Sequence, residues 1–584
     1  MCTGTVITPE NPFSNIMTLA DALAFTIRTH LVGFSTMLAW VETTRGVINI
    51  FGAEVGGAPR PLTNFSADDG ATISGLRAIK TAKHPSGLLI WSYPTDEANP
   101  LSNIAPSSAS QIMVLPLGQP FIPPIAIGPH RLVTVTPDGT RALYAYSSST
   151  YGLALCELPT EGTAAVRLDV SSPAGPAACG GTPHASLLLR VRSGELGRGG
   201  ATWSGDGRVL AVSVLRFDHG FIGVWRRGTT RLRWVAPSLD TDAYPVWSAD
   251  GDRLAFIRLR EGSDEHGVTP RDRNDGPPFA IFVAEMAAPG SSSPSARLTA
   301  REVYREWQFG YPGTGENGYG GRPLLWAAGD SVLLTGSERS GYLQVVAVGA
   351  DGDVRRGTNT STALTPRGCE VQDWRLSPDS THLYVAHGCD DVDSLGVMRV
   401  DVRSGTRAVV VRGTPTQVAG MSGDEDGGAG MLPLDGGGIA YIASTYNAST
   451  SVWLSTSATA PPRMLAHPPP PAAVAAFRMP KMVTFPSSDG LFTLHAQLFE
   501  AHATAGAPRD RTATKPRPAV LFTHGGAMRQ MYGAMHYSRC YAGLYALNQA
   551  RGAERTETEP SLIRSPLAVS WQSLTIPCRP STIP

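Results

Sequence analysis

Trp203-Ser204-Gly205-Asp206-Gly207-Arg208-Val209-Leu210-Ala211-Val212-Ser213 is echoed 44 residues later by Trp247-Ser248-Ala249-Asp250-Gly251-Asp252-Arg253-Leu254-Ala255-Phe256-Ile257. In each copy an aromatic residue ends one run, Asp-Gly supplies a tight turn, and an apolar run follows, which is the pattern of a hairpin. A repeat of this length is about one four-stranded propeller blade, and self-similarity at a fixed period marks a repeat architecture. Weaker copies stand at Thr136-Pro137-Asp138-Gly139 before Ala142-Leu143-Tyr144-Ala145-Tyr146, and at Ser377-Pro378-Asp379-Ser380 before Leu383-Tyr384-Val385-Ala386. The most degenerate is Trp326-Ala327-Ala328-Gly329-Asp330 before Val332-Leu333-Leu334.

Each unit carries a further apolar segment, at 221–225, 279–283, 342–346 and 396–400. These segments need partners, and four-stranded blades set around an axis supply them. Near the N-terminus, 38–42 and 48–53 pair across the turn at 43–46 in the same style. A β-sandwich is also built of turn-punctuated strands, but nothing in it requires a blade-length period. The expected fold is mostly β, a seven- or eight-bladed β-propeller.

With 584 residues the chain exceeds the size at which a single core splits, so a repeat array or two domains is expected. Its 63 glycines and 47 prolines suit many short strands and turns. Lys+Arg and Asp+Glu balance at 49 each, leaving no cationic surplus for phosphates or anionic lipid. Nucleic acid and membrane are therefore not expected partners. The apolar stretch 16–40 is broken by Asp21, Arg28 and His30, so it is read as neither anchor nor secretory leader. A soluble, cytoplasmic protein is the expectation, with an organelle address left open.

Seven cysteines (Cys2, Cys156, Cys179, Cys369, Cys389, Cys540, Cys578) form no CxxC pair, so no zinc site or disulfide framework is signalled. They are read as thiols, mostly buried, in a reducing compartment. Leu19, Leu23, Phe25 and Ile27 give 17–28 the spacing of a short helix. Asp424-Glu425-Asp426 lacks the ligand spacing of a calcium loop and is read as a solvated loop. Asp218 with His219, and Asp390 with Asp391 and Asp393, are read as turn or capping groups. No metal and no cofactor is expected.

Prolines at 461–462 and 468–471 separate two compositional regimes. Beyond them, Val483-Thr484-Phe485-Pro486 leads through Asp489-Gly490 to Leu494-His495-Ala496-Gln497-Leu498-Phe499, a hairpin pattern. Pro516-Arg517-Pro518-Ala519-Val520-Leu521-Phe522-Thr523 then reads as a buried strand ending in His524-Gly525-Gly526.

This order of propeller, hairpin and strand ending in His-Gly-Gly resembles the prolyl oligopeptidase family of serine peptidases, most closely its acylaminoacyl-peptidase and dipeptidyl-peptidase-like branch. Further carriers are Arg231-Leu232-Arg233-Trp234-Val235-Ala236-Pro237 running into Asp242-Ala243-Tyr244-Pro245-Val246-Trp247-Ser248, and Glu338-Arg339-Ser340-Gly341-Tyr342. Asp373 to Asp379, Arg529-Gln530-Met531, His536-Tyr537 and Asn548-Gln549 add to them. The resemblance implies a propeller filter, TolB-like or dipeptidyl-peptidase N-terminal-like, over an α/β-hydrolase domain that cleaves short peptides through an acyl-serine. It also implies that His524, Gly525 and Gly526 form the turn beside the oxyanion site. The expected organisation is an N-terminal arm and short helix (1–30), the propeller (31–459), a Pro-rich linker (460–482), the start of the hydrolase domain (483–549) and an unmatched, disordered tail (550–584).

Acyl transfer of this kind needs a serine on a strained elbow, written GxSxG, followed in the chain by Asp and His. No GxSxG occurs, and the 58 residues after Gly526 contain one histidine, His536. No catalytic residue is therefore assigned. No two glutamates are adjacent, so the paired acids with which strict dipeptidyl peptidases hold an amino group are missing. The expectation is an incomplete α/β-hydrolase domain, arising from a shifted frame, retained intron or gene-model error, in an inactive peptidase chain. The alternative is a stand-alone propeller that binds proteins or peptides. Oligomeric state is not legible.

Overall fold

The computed structural model describes, with short gaps, residues 26–94, 110–158, 187–259, 279–286, 298–306, 323–412, 418–419, 430–466, 479–498 and 572–575. Residues up to 466 form eight antiparallel sheets in chain order, spanning 27–61, 74–128, 131–191, 195–234, 241–306, 324–363, 371–411 and 418–466, and a ninth, three-stranded sheet follows. Seven of these are four-stranded meanders in which each strand pairs with its neighbour in sequence. In the eighth, the first position is shared by Val418–Ala419 and Met431–Pro433, which both pair with Ile439–Thr445.

The repeated sequence motif is the first hairpin of each sheet. Trp203 ends the strand Glu195–Trp203, and Trp247 ends Thr241–Trp247. At the turn, Ser248 Oγ donates to Asp250 Oδ1 (2.5 Å) and accepts from Arg253 N (2.9 Å), while Gly251 N donates to Ser248 O (3.0 Å). The bonds around Ser204, Ser377 and Ser487 repeat this arrangement, and Thr136 does the same with its own hydroxyl. The fourth residue of the turn is left-handed, Gly251 at φ 76°. Where Ser380 replaces glycine it takes φ 60°, a conformation a side chain adopts at some cost, and the Ser377–Asp379 bonds hold it there.

The tryptophan has a second duty. Trp247 Nε1 donates to Thr202 O of the preceding sheet (3.1 Å), and Trp326 Nε1 donates to Val246 O of its own preceding sheet (3.1 Å). In the fifth and sixth sheets the repeat is thus both a turn and a tie to the sheet before it. Second strands such as Arg253–Leu259 and His382–His387 are almost wholly buried because both faces meet a neighbouring sheet.

Eight apolar clusters fill the eight gaps between successive sheets. The last of them joins the ends of the ring: Leu31, Leu38 and Trp40 of the first sheet pack on Ile442, Val452 and Leu454 of the eighth. At this seam Arg28 N donates to Thr450 Oγ1 (2.5 Å), Arg28 Nη1 to Thr450 O (2.8 Å), and Ser449 Oγ to Thr26 O (2.7 Å). No described strand crosses between first and last sheet, so side chains alone close the circle. The result is a nearly all-β, β-propeller-like fold, as the 44-residue repeat implies.

Some expectations need correction. Ile27 and Arg28, placed at the end of a helix, begin the strand Ile27–Phe34, because Thr26, Ile27 and Thr29 are β-branched and pair or bond across the sheet; residues 17–25 lie outside the described residues. Arg463–Ala466 falls inside the stretch read as linker, yet it is the outer strand of the eighth sheet. Its two preceding prolines sit at the sheet edge, where a missing N–H costs no ladder bond. Lys481–Pro486 and Thr493–Leu498 form the expected hairpin, with Lys481 opposite Leu498. Gln572–Thr575, inside the tail expected to be disordered, adds a third strand with His495 opposite Thr575. Four residues are too few for an alternating pattern to be read from sequence. Among the described residues no helix is long and apolar enough to cross a membrane.

Candidate functional site

The two ends of the sheets differ in chemistry. One carries the Ser/Thr-x-Asp turns. The other, where second strands pass to third strands and each sheet passes to the next, gathers buried polar side chains: Arg28, Glu42, Asp242, Glu306, Ser337, Gln344, Gln372, Asp373 and His387. First strands kink near this end, with register shifts between Thr29 and Val32, Leu196 and Ala201, Ala243 and Val246, and Val371 and Asp373. His30 (φ 53°) and Tyr244 (φ 55°) are left-handed at the kinks. Gly199 is required at its own kink, since a Cβ there would lie 2.6 Å from Tyr244 Cα. Bulges of this kind re-aim side chains at the rim of a sheet.

Three buried acids at this end are held by arginine. Arg258 Nε donates to Asp242 Oδ1 (2.6 Å) and Nη2 to Oδ2 (3.0 Å), with a further bond from Nη2 to Ala236 O (2.6 Å). The guanidinium lies 4.4 Å from the Phe282 ring centroid. Burial nevertheless pushes the Asp242 carboxyl up to about 6, against the lowering effect of Arg258. Glu306 accepts from Tyr304 Oη (2.8 Å), Ser337 Oγ (2.9 Å), and Arg339 Nη2 (2.9 Å) and Nε (3.1 Å). Burial beside this carboxylate pushes the Tyr304 phenol up. At the seam, Glu42 Oε1 accepts from Arg28 Nε (2.8 Å) and Trp40 Nε1 (2.8 Å).

Two more acids are less well matched. Glu370 accepts from Leu343 N (3.1 Å), and burial pushes it up to about 8, with Glu338 adding to the effect. Burial also raises Asp373, opposed by Arg375 at 3.4 Å. Charged side chains inside otherwise apolar strands are the sequence signal for this polar end.

None of this is an acyl-transfer centre. Thr381 Oγ1 lies 2.7 Å from His382 Nδ1, with Asp401 3.9 Å from Nε2. The Thr381 hydroxyl, however, donates to Asp379 Oδ1 (2.8 Å), so the imidazole faces the oxygen as a donor and does not serve it as a base. No group of three His, Cys, Asp or Glu able to hold a metal occurs among the described residues. His524, Gly525 and Gly526 lie outside the described residues, as do Asp218, Asp390, Asp391, Asp393 and the 424–426 acids. His219 packs edge-on against Phe221, ring centroids 6.5 Å apart. Cys389 is disulfide-bonded, which corrects its reading as a free thiol.

No family model matches the chain. No curated protein matches it either. Solved structures do. A puromycin-hydrolyzing peptidase of Mycobacterium tuberculosis aligns over 91% of this chain and 66% of its own, at 16% identity and a TM-score of 0.52. Dipeptidyl peptidase 4 of Porphyromonas gingivalis aligns over 91% and 71%, at 12% identity and a TM-score of 0.53. A puromycin hydrolase aligns over 92% and 67%, at 13% identity and a TM-score of 0.50. The chain spans about two thirds of the length of the first of these structures. At such identities the likeness is one of fold, and the fold this chain shares is that of the prolyl oligopeptidase-family peptidases.

Proposed function

We propose that the eight sheets are the blades of an eight-bladed propeller that caps an α/β-hydrolase-type serine peptidase acting on short peptides. The observation that carries this reading is the order along the chain: a ring closed between its first and eighth sheets, followed directly by the hairpin of 481–498. Peptidases of matching fold support it. In this reading the ring restricts access by size. The buried arginine–carboxylate pairs hold its polar end in shape, because their bonds are spent on one another.

The 584 residues by themselves carry out no acyl transfer in this reading, because they contain no GxSxG elbow. The same absence favours the second reading, a propeller that binds peptides or proteins without cleaving them. Incubation of the purified chain with a serine-directed fluorophosphonate separates the cases. No labelling is expected, and stoichiometric labelling of a serine would overturn the statement that this chain is inactive. Titration of the unlabelled chain with short fluorescent peptides then tests the binding reading.

A further inference from the structure

Asn64-Phe65-Ser66 has the form that N-linked oligosaccharyl transfer recognises: an asparagine, any residue but proline, then a serine or threonine. A glycan is bulky and hydrophilic, so the asparagine that bears one must stand outside the folded core. Residues 62–66 belong to neither helix nor strand and lead from the first sheet toward the second. We propose that Asn64 is an N-glycosylation site and that the chain acquires its glycan in an oxidising secretory compartment.

The fold holds the middle of this triplet and leaves its two ends free. Asn49 Oδ1 accepts from Phe65 N (2.7 Å) and from Thr63 Oγ1 (2.9 Å), while Asn49 Nδ2 donates to Phe65 O (3.0 Å). The Asn49 side chain thereby grips Phe65 as a neighbouring strand would. Thr63 is buried, and its hydroxyl accepts from Ile50 N (2.8 Å). The Phe65 ring stacks on Tyr93 of the second sheet, with centroids 5.6 Å apart and planes 16° apart. With Thr63 and Phe65 turned to the sheets, residues 64 and 66 are left on the outer side. Asn64 and Ser66 are both exposed, and neither side chain takes part in a hydrogen bond among the described residues. A sugar on Asn64 therefore displaces no contact of the fold, and the segment that carries it is anchored on both sides.

A separate observation supports the compartment. Cys389 is disulfide-bonded, and such bonds persist in an oxidising medium such as the secretory lumen, not in the reducing one expected from composition. Asn359-Thr360-Ser361 and Asn447-Ala448-Ser449 have the same form, but positions 359 and 447 lie outside the described residues and are assigned no role.

The transfer joins Asn64 Nδ2 to the anomeric carbon of an N-acetylhexosamine at the head of a polyprenyl-pyrophosphate-linked oligosaccharide. The C–N bond forms as the C–O bond to pyrophosphate breaks. The amide gives up one proton, polyprenyl pyrophosphate leaves, and nothing is oxidised or reduced.

The chain is isolated from the cells that make it and treated with peptide N-glycosidase in heavy-oxygen water, which converts a glycosylated asparagine to labelled aspartate. Trypsin then releases Asn64 within the peptide 46–77, because Arg60 precedes proline and is not cut. Labelled aspartate is expected at position 64 and none at Asn49, which lies in the same peptide outside any such triplet. Recovery of this peptide with Asn64 unlabelled overturns the proposal. Ser66→Ala leaves the asparagine in place and removes only the hydroxyl that the transferase reads. The exposed, unbonded position of Ser66 predicts an unchanged circular dichroism spectrum. That variant, and Asn64→Gln, are each expected to migrate faster than the native chain by the mass of one glycan. Migration identical to the native chain before glycosidase treatment would equally overturn the assignment.

Discussion

Replacing Arg258 with leucine leaves Asp242 in the fifth sheet without its partner. In the native chain the carboxylate is fully buried and receives two hydrogen bonds from a single guanidinium, at 2.6 and 3.0 Å. Removing one member of such a pair strands the other in a medium that solvates it poorly, with a typical loss of about 3–5 kcal/mol. The bond to Ala236 O and the contact with Phe282 are lost as well, so the upper half of that range is expected. The loss depends on pH. Burial already raises the folded-state value of Asp242 to about 6, so its contribution to stability is fully present below the ordinary carboxylate range and is lost as pH rises through about 6. Arg258 is the group that opposes this rise, and without it the folded-state value climbs further. The variant therefore falls behind the native chain most above pH 6 and recovers toward it at pH 5. Urea titrations followed by tryptophan fluorescence at both pH values measure the difference. Arg258→Leu combined with Asp242→Leu is expected to be more stable than Arg258→Leu alone, since the stranded charge is gone. A loss below about 1 kcal/mol at pH 8, or an equal loss at pH 5, would refute the reasoning.

Leu454→Ala at the seam is expected to cost about 2–5 kcal/mol and to speed proteolysis of the first and eighth sheets before the others, because these two sheets, unlike the other neighbours, are not consecutive in the chain. Equal cleavage rates around the ring would show that the seam is no weaker than the other gaps. The Asp250 carboxyl is held below its ordinary range chiefly by the Ser248 hydroxyl, so the turn it caps is stabilised above that ordinary range and weakens as pH falls through the lower folded-state value. Hydrogen exchange at Arg253 N should therefore quicken on acidification, and Ser248→Ala should weaken that pH dependence, with the Asp252 N–H and Arg253 still acting on Asp250.

The local chemistry was legible without any structure. Ser/Thr-x-Asp-Gly sets a hairpin through bonds among residues within five positions of each other, and alternation of apolar runs with such turns leaves few options but a meander. Trp203 and Trp247 signalled the repeat, though the cross-sheet bond of Trp247 was not visible in it. What only tertiary structure decided is which sheet meets which. Closure depends on Leu31, Leu38 and Trp40 finding Val452 and Leu454, over 400 positions away, and nothing local to either segment encodes that meeting. The same holds for the polar end. Asp242, Glu306 and Glu370 are unremarkable acids in a list of residues, and become buried, paired or raised in pKa only when neighbouring sheets exclude water from them. Turn formation is settled by nearest neighbours, whereas burial and ionisation are settled by what packs on top.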